Sequence, residues 1–548
     1  MINETYKKEI NYLFISFLIG IVVTALICPY LLFHPTDVNY LNLDKADHFF
    51  GWAFYRQDVW HWPLTFTNHL IYPMGSSIVF TDSFPIVSIL LKSISAVLPK
   101  IFIFHGTIMV LNFSLMFYFS NLLLRKITRD YLFCFIGSIM FVLATPLLAR
   151  IQGHIALASH WIIVAGLIPL VDNTPNDIQS KKYFLFMMTL LFLSFGIHAY
   201  LASMLLILLF AYIAQMAIDK SIGIKQLLLI LMLTFFIVIF SMYLFGYFIN
   251  TTSGESGGFG YYCANLLSFV NPQWVDPQST SLFFPSIDIP NVQSGGYAYL
   301  GLGIFLMVPF ALYHLLKNRP YSMRLMPLYI VCISCFLYSL SNHIYLGNKL
   351  LVQFGFNCDL FQIFRASQRY IWVVYYAILV FAILSLYRVV SERKTLILLI
   401  LFMLMCQIVD IFPLITRLHK RYIPQQNSYD EHLDKTFWFS LGEKYKHMYI
   451  DPVYVNQLYK DPYGNAHLYK LAYIAIMNNM TINNFYLARR SVYNDQIIQK
   501  TYENFLNGIL DKDTIYTMDE QTIKKRNNSV NLKQCRIVDS YYVCSISL

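Results

Sequence analysis

Apolar runs near or above the roughly 17–25 residues needed to cross a bilayer recur from Tyr12 to Pro413. A chain built this way has few options. In hydrocarbon every backbone N–H and C=O must be satisfied within the segment, so the runs read as helices. Composition agrees. Of the 548 residues, 57% are hydrophobic and 13% charged, with a mean hydropathy of +0.51. Ordinary soluble domains carry about 25% charged residues. The expected class is an α-helical polytopic membrane protein. The first run, Tyr12–Phe33, is too long and aromatic for a signal peptide and ends in no small-residue cleavage site. It reads as a retained signal-anchor helix.

A net charge of +10 is compatible with a nucleic-acid partner, but the basic residues sit in short clusters between the runs. These are Lys7/Lys8, Arg125/Lys126/Arg129, Lys181/Lys182, Lys220/Lys225, Lys317/Arg319/Arg324 and Arg388/Arg393/Lys394. Positive residues in short loops mark the cytoplasmic side, so the charge reads as topology and no nucleic acid is expected. Placing the clusters inside gives spans near 11–33, 101–124, 131–149, 160–172, 183–197, 200–218, 227–249, 299–316, 325–341, 370–388 and 395–413. That is about eleven helices, with the N-terminus inside and the C-terminus outside. The larger loops, 34–100, 250–298 and 342–369, then fall outside, punctuated by Gly254, Gly257, Gly258, Pro272, Pro277, Pro285 and Pro290. Phe84–Pro99 is apolar but short and carries Lys92 in its middle, so it reads as a helix lying on the outer interface. No repeat of fixed period is visible, and the halves lack the paired interrupted spans of inverted-repeat transporters.

From about Lys420 the composition turns polar, which divides the chain into a membrane domain, 1–419, and a C-terminal extracytoplasmic α/β domain, 420–548. "KHMYIDPV" and "DTIYTMD" read as strands, while "NAHLYKLAYIAIMNN" and "DQIIQKTYENFLNGIL" carry helical spacing. Cys535 and Cys544 flank a candidate hairpin, "RIVDSYYV", and suit a disulfide in an oxidising periplasm. Cys263 and Cys358 lie in different outer loops and are a second candidate pair. Cys134, Cys332, Cys335 and Cys406 read as thiols within spans, and no cysteine spacing suggests zinc.

The unusual chemistry gathers on the outer side. Asp44, Asp47 and His48 follow the first span closely, "SSIVFTDSFP" adds Asp82, and "RIQGHIALASHW" adds Arg150, His154 and His160. His198 sits at another outer turn. "FRASQRY" places Arg365 and Arg369 just before a span, four residues apart and so on one helical face. Charges at membrane depth are costly and usually face an aqueous cavity or one another. A carboxylate can take a proton from a hydroxyl nucleophile. Arginines and histidines can hold a phosphate and the charge that develops as it departs. This set suits moving a sugar from a lipid phosphate onto an acceptor hydroxyl.

Plainer readings stand beside each. Asp44 and Asp47 could belong to a solvated loop or a helix N-cap, and Asp82 could cap a helix starting near Phe84. His154 and His160 could be interfacial histidines, and Arg365 and Arg369 snorkelling anchors. Trp52, Trp60 and Trp62 read as an interfacial aromatic belt. "GGYAYLGLG" lacks the strand and helix context of a nucleotide loop and reads as close backbone packing.

The segments "LDKADHFFGWAFYR", "WHWPL", "SSIVFTDSFP", "GHIALASHW", "YAYLGLG" and "FRASQRYIWVVYY" give the chain a resemblance to the C-type (GT-C) superfamily of multi-spanning glycosyltransferases that use polyprenyl-phosphate sugars. More narrowly it is similar to a bacterial branch of largely uncharacterised conserved membrane proteins. The resemblance covers the membrane region and, more weakly, the C-terminal domain. It implies a GT-C-like fold, an inverting hexosyltransferase activity and Asp44 as the first-loop acid that serves as base. Asp47 stands where the branch often has an uncharged residue, which leaves the choice between the two acids open. Arg365 and Arg369 match the segment expected to hold the lipid phosphate, with Arg150 nearby in role. Asp82, His154, His160 and His48 are the expected substrate-binding residues. No metal and no cofactor are expected, since the lipid-linked sugar is the donor substrate.

The expected setting is the bacterial cytoplasmic membrane. The expected partners are membrane lipid, the polyprenyl-phosphate sugar, an envelope glycan acceptor such as an O-antigen or another surface polysaccharide, a donor-synthesising glycosyltransferase and a flippase. The competing functions are a polysaccharide polymerase or ligase using a diphosphate-linked glycan, and a lipid-linked glycan flippase. A flippase should line a path through the bilayer with charge, whereas here the charges collect on one face.

Overall fold

The computed structural model describes residues 4–172, 177–249, 259–275, 277–318, 323–355, 359–424, 429, 431–451, 464–489, 492–519 and 535–546. The chain forms two compact units. One comprises Met1–Pro35, Phe104–Val238 and Ser256–Ile423; the other comprises Thr36–Ile103, Ile239–Glu255 and Pro424–Leu548.

The first unit is mainly helical, with one antiparallel hairpin, His343–Leu346 with Lys349–Gln353. Across the described residues six helices are long and apolar enough to cross a membrane: Glu9–Ile27, His105–Ile127, Ala199–Ile218, Ile224–Leu244, Met323–Leu340 and Ser367–Val389. Two bent pairs raise the number to eight if each is one span: Tyr131–Val142 with Thr145–Ile151, at 45°, and Arg393–Asp410 with Phe412–Arg421, at 48°. Each second helix of a pair has proline in its first turn, Pro146 and Pro413. Proline lacks the N–H that would continue the preceding ladder, so the axis breaks there.

The expected spans at 160–172, 183–197 and 299–316 fall short. Ala156–Val171 and Leu302–Lys317 are shorter apolar helices, and Asp177–Phe195 carries Asp177, Lys181 and Lys182 in its first turns. Helices that would face acyl chains keep apolar residues outside, as on Ile224–Leu244 with exposed Leu228, Met232, Phe235, Phe236 and Ile239.

Four residues of the basic clusters are paired. Arg125 meets Glu9 at 3.3 Å, Lys126 meets Asp172 at 3.2 Å, Arg324 meets Asp219 at 3.4 Å and Arg393 meets Asp130 at 2.5 Å. Each pair ties the end of one helix to the end of another.

"GGYAYLGLG" is close backbone packing. Gly301 has φ +88, and a side chain on Gly303 would overlap the Met403 carbonyl and Gln407. The buried Asp410 carboxylate accepts from Tyr299 Oη and Leu302 N, both at 2.8 Å, and Gln407 accepts from Gly303 N at 3.0 Å. A bare backbone is needed for that approach.

The second unit contains a five-stranded mixed sheet. Its strands run Thr481–Ile482, His447–Asp451, Thr514–Asp519, Tyr541–Cys544 and Cys535–Val538 in spatial order, the first three mutually parallel. The helix Gly464–Met477 connects the first parallel pair, and Val492–Leu506 precedes the central strand. Phe505 stacks on Tyr516 at 5.0 Å beside Tyr449, Met518 and Cys544, forming the core on that side. Cys535 and Cys544 are directly opposed in register and joined by a disulfide. Cys263 is a buried thiol that accepts from Gln293 Nε2 at 3.3 Å; Cys358 lies outside the described residues.

Residues 36–103 belong to this same unit, and three of their features depart from expectation. Trp52 is buried, donating from Nε1 to the Phe102 carbonyl at 3.0 Å, so only Trp60 and Trp62 of the expected belt are exposed. Phe84–Pro99 is not one helix: Pro85–Ser93 gives way to a 3₁₀ turn at Ser95–Val97. Lys92 turns inward from it, its Nζ donating to the Val59 carbonyl at 3.0 Å and lying 3.9 Å from the Tyr55 ring centroid. Burial lowers its pKa to about 8. Leu90, Ile94 and Val97 stay exposed, which suits an interfacial position. Arg56 donates to Ser95 Oγ and to the carbonyls of Ser95, Leu98, Pro99 and Lys100 at 2.5–3.2 Å. Its guanidinium closes the end of that segment.

Candidate functional site

The acids of the first loop lie on a helix, Leu43–Gln57. Its entry is unusual. Leu43 has φ +46, a conformation that costs a residue with a side chain, and Asn42 makes no side-chain cap. Asp44 follows in the first turn, half-buried, where the helix dipole favours negative charge. Asp47, one turn on and 6% exposed, shares that face.

Everything from Lys45 to Tyr55 is buried. One reason is the helix Gly464–Met477, from which Tyr469 stacks on Phe50 at 5.7 Å and donates to Asp47 Oδ1 at 2.9 Å. Tyr429 meets Phe50 edge-on at 5.8 Å. Burial, with Asp44 and Asp82 adding like charge, holds the Asp47 pKa well above the ordinary carboxylate range; the Tyr469 bond opposes this.

Asp82 does not cap the following helix. It ends the 3₁₀ turn Ile78–Thr81 with φ +55, while the helix starts at Pro85 after Phe84, which contributes no side-chain cap. The turn presses against Gly51, where a side chain would overlap the hydroxyls of Thr81 and Ser83. His48 Nε2 lies 4.0 Å from Asp82 Oδ2. Tyr247, of the same unit, lies within electrostatic reach of both Asp82 and Arg489. Asp44, Asp47, His48 and Asp82 therefore form one cluster.

The expected arginines belong to the first unit. Arg365 and Arg369 do not share a helical face: Arg365 precedes a 3₁₀ turn at Ser367–Tyr370, and the long helix starts only at Ile371. Each guanidinium instead lies over its own tyrosine ring, Arg365 over Tyr262 at 5.9 Å and Arg369 over Tyr200 at 4.5 Å. Tyr200 Oη accepts from Ala366 N at 2.9 Å, and Tyr262 O accepts from Gln368 N at 3.2 Å. The tyrosines under the arginines thus also fix their backbone. His198 caps a helix, its Nδ1 accepting from Tyr200 N at 3.1 Å.

Arg150 donates to the Ser294 carbonyl at 3.3 Å and lies 5.7 Å from the Trp372 ring. His160 meets the same ring at 4.4 Å, with Nδ1 2.9 Å from Tyr376 Oη and Nε2 buried without a hydrogen-bond partner among the described residues. Trp372 thereby brings Arg150 and His160 together. The turn Asn291–Gly296 joins them to the arginine segment, because Gly295 and Gly296 press on Gln368. His154 lies half-buried in the turn before Ala156–Ala158.

Residues 17–412 match the family model described as a domain of unknown function, DUF6311, and residues 437–546 match the DUF6311 C-terminal domain. The chain belongs to the DUF6311 family. No curated protein matches it. This DUF6311 chain is similar to the Archaeoglobus fulgidus oligosaccharyltransferase in its apo form, at 12% identity over 93% of this chain and 69% of that one, with a TM-score of 0.37. The same enzyme tethered through a disulfide to an acceptor peptide containing the NVT sequon gives 12% identity, the same coverage and a TM-score of 0.44. At these scores the likeness does not extend to chemistry.

Sequence reasoning about this DUF6311 protein missed Tyr469, Tyr429, Trp372 and Gln368. Tyr469 lies 422 residues from the acid it touches. As one aromatic among 41 tyrosines it carried no local signal.

Proposed function

We propose that this protein is an inverting, GT-C-like glycosyltransferase that moves a sugar from a polyprenyl phosphate to a hydroxyl of a bacterial cell-envelope glycan. The observation that carries the reading is the acid cluster: a half-buried Asp44 on the first turn of a helix, backed by Asp47, His48 and Asp82. A half-buried carboxylate can still reach a hydroxyl; Asp47, nearly sealed, is poorly placed to do so. Asp44 takes the acceptor proton, the acceptor oxygen attacks the anomeric carbon, and the bond from that carbon to the phosphate oxygen breaks with inversion. The polyprenyl phosphate leaves with the bonding electrons. Arg365 and Arg369, with Arg150, hold that phosphate as its charge develops. His48, Asp82, His154 and His160 bind sugar or acceptor. No cofactor is needed in this scheme.

The proposed setting is the bacterial cytoplasmic membrane, with the N-terminus cytoplasmic and residues 420–548 periplasmic. The paired basic residues Arg125, Lys126, Arg324 and Arg393 at helix ends suit that orientation. A donor-synthesising transferase and a flippase would supply the lipid-linked sugar.

Comparing the envelope glycans of cells with and without the protein by mass spectrometry tests the reading. Loss of one hexose increment is expected. Unchanged composition with altered chain length would replace it with a polymerase. A second expectation concerns the donor. Arg365→Ala and Arg369→Ala should each weaken binding of undecaprenyl phosphate to the purified protein about tenfold, the scale of one charged hydrogen bond. Unchanged affinity in both would remove their proposed role.

A further inference from the structure

We propose that Tyr469 is a positioning residue for the acid helix: its hydroxyl, 2.9 Å from Asp47 Oδ1 and 3.2 Å from the Leu43 carbonyl, pins the strained entry that aims Asp44. The inference rests on the reading of Asp44 as base. It gives the C-terminal part of the chain a task in the reaction.

The geometry is specific. Leu43, immediately before Asp44, has φ +46, and such a conformation persists only where the surroundings hold it. The N-terminal Asn42 does not cap the helix, so the hold comes from elsewhere. Tyr469 supplies it from a helix distant in sequence, with its ring stacked at 5° on Phe50 and its hydroxyl on the Leu43 carbonyl. Tyr429 repeats the device two residues earlier, donating to the Leu41 carbonyl at 2.6 Å. Two phenols thus bracket the entry. The groups facing Asp47 are Asp44 from its own helix, Asp82 with His48 beside it, and the two phenols. Asp47 keeps its proton above the ordinary carboxylate pH range, so it serves as a neutral link while Asp44 is left to act.

The test uses the purified full chain in detergent and follows the infrared C=O band of protonated carboxyls across pH. The band that Asp47→Asn removes belongs to Asp47. Tyr469→Phe deletes a bond that favours the ionised form, so the band should persist to higher pH. Asp44→Asn deletes a like charge, so it should vanish at lower pH. Should Tyr469→Phe fail to fold, 3-fluorotyrosine at 469 keeps the ring, strengthens the donor and should move the transition downward. A transition unmoved by the change at 469 overturns the proposal.

In cells, Tyr469→Phe should lower the glycan increment about tenfold, equivalent to about 1.4 kcal/mol in a barrier. Full transfer by Tyr469→Phe, with none by Asp44→Asn, overturns the positioning role and leaves the base intact. Full transfer by Asp44→Asn overturns the base, and the infrared result then decides the clamp alone.

Discussion

Asp44→Asn is expected to abolish sugar transfer in cells while the protein accumulates in the membrane at its normal level. The change keeps the shape of the side chain and removes its ability to take a proton. General-base catalysis contributes about 10²–10⁴-fold in rate, enough to push the envelope glycan product below detection. Folding should survive, because Asp44 is half-buried rather than sealed in a core and one acid in a first helical turn contributes about 0.3–1 kcal/mol. Asp47→Asn is the informative contrast. It retains an oxygen to accept from Tyr469, so a reduced but measurable product is expected. Retained transfer by Asp44→Asn together with loss in Asp47→Asn would exchange the two roles.

Gly51→Ala should cost stability where the same change on an open helix would add it. Alanine is favoured over glycine within a helix by about 1 kcal/mol. Here the new methyl would overlap Thr81 Oγ1 and Ser83 Oγ. Those hydroxyls cannot easily retreat. They bond each other at 2.7 Å, Thr81 also donates to the Ile78 carbonyl at 3.0 Å, and Ser88 donates to the Ser83 carbonyl at 2.5 Å. The helix and the turn must separate, at about 1–3 kcal/mol for an overpacked contact. Because Asp82 lies between the two crowded residues, it should move from His48, and transfer should fall together with the apparent Tm. A Tm at or above that of the unaltered protein would show that the contact gives way cheaply.

The sequence made the apolar helices legible because hydrocarbon imposes one rule on every segment: length and the absence of charge. Where charge or proline intrudes the rule loses its hold. Asp177, Lys181 and Lys182 put charge in the first turns of the helix that holds one expected span, and Pro146 and Pro413 bend two others. Asp44, Asp47, His48 and Asp82 could be picked out because charges beside a span are conspicuous, and the fold gathers them. Arg365 and Arg369 were equally conspicuous, yet a spacing of four residues says nothing until the helix boundary is known, and it falls at Ile371. Trp52 illustrates a different blindness. Buried and interfacial tryptophans look alike in sequence, and only the Phe102 carbonyl under its Nε1 separates them. Tyr469 was invisible because its partner is distant in sequence.

That distance also has a consequence in time. Asp47 and Tyr469 are 422 residues apart, and at synthesis rates of about 5–20 residues per second the ribosome needs roughly 20 to 85 s to travel between them. For that interval the helix Leu43–Gln57 exists without the surface that buries Phe50 and Asp47. Its apolar side must wait, shielded by lipid or by a chaperone, until the last quarter of the chain arrives to cover it.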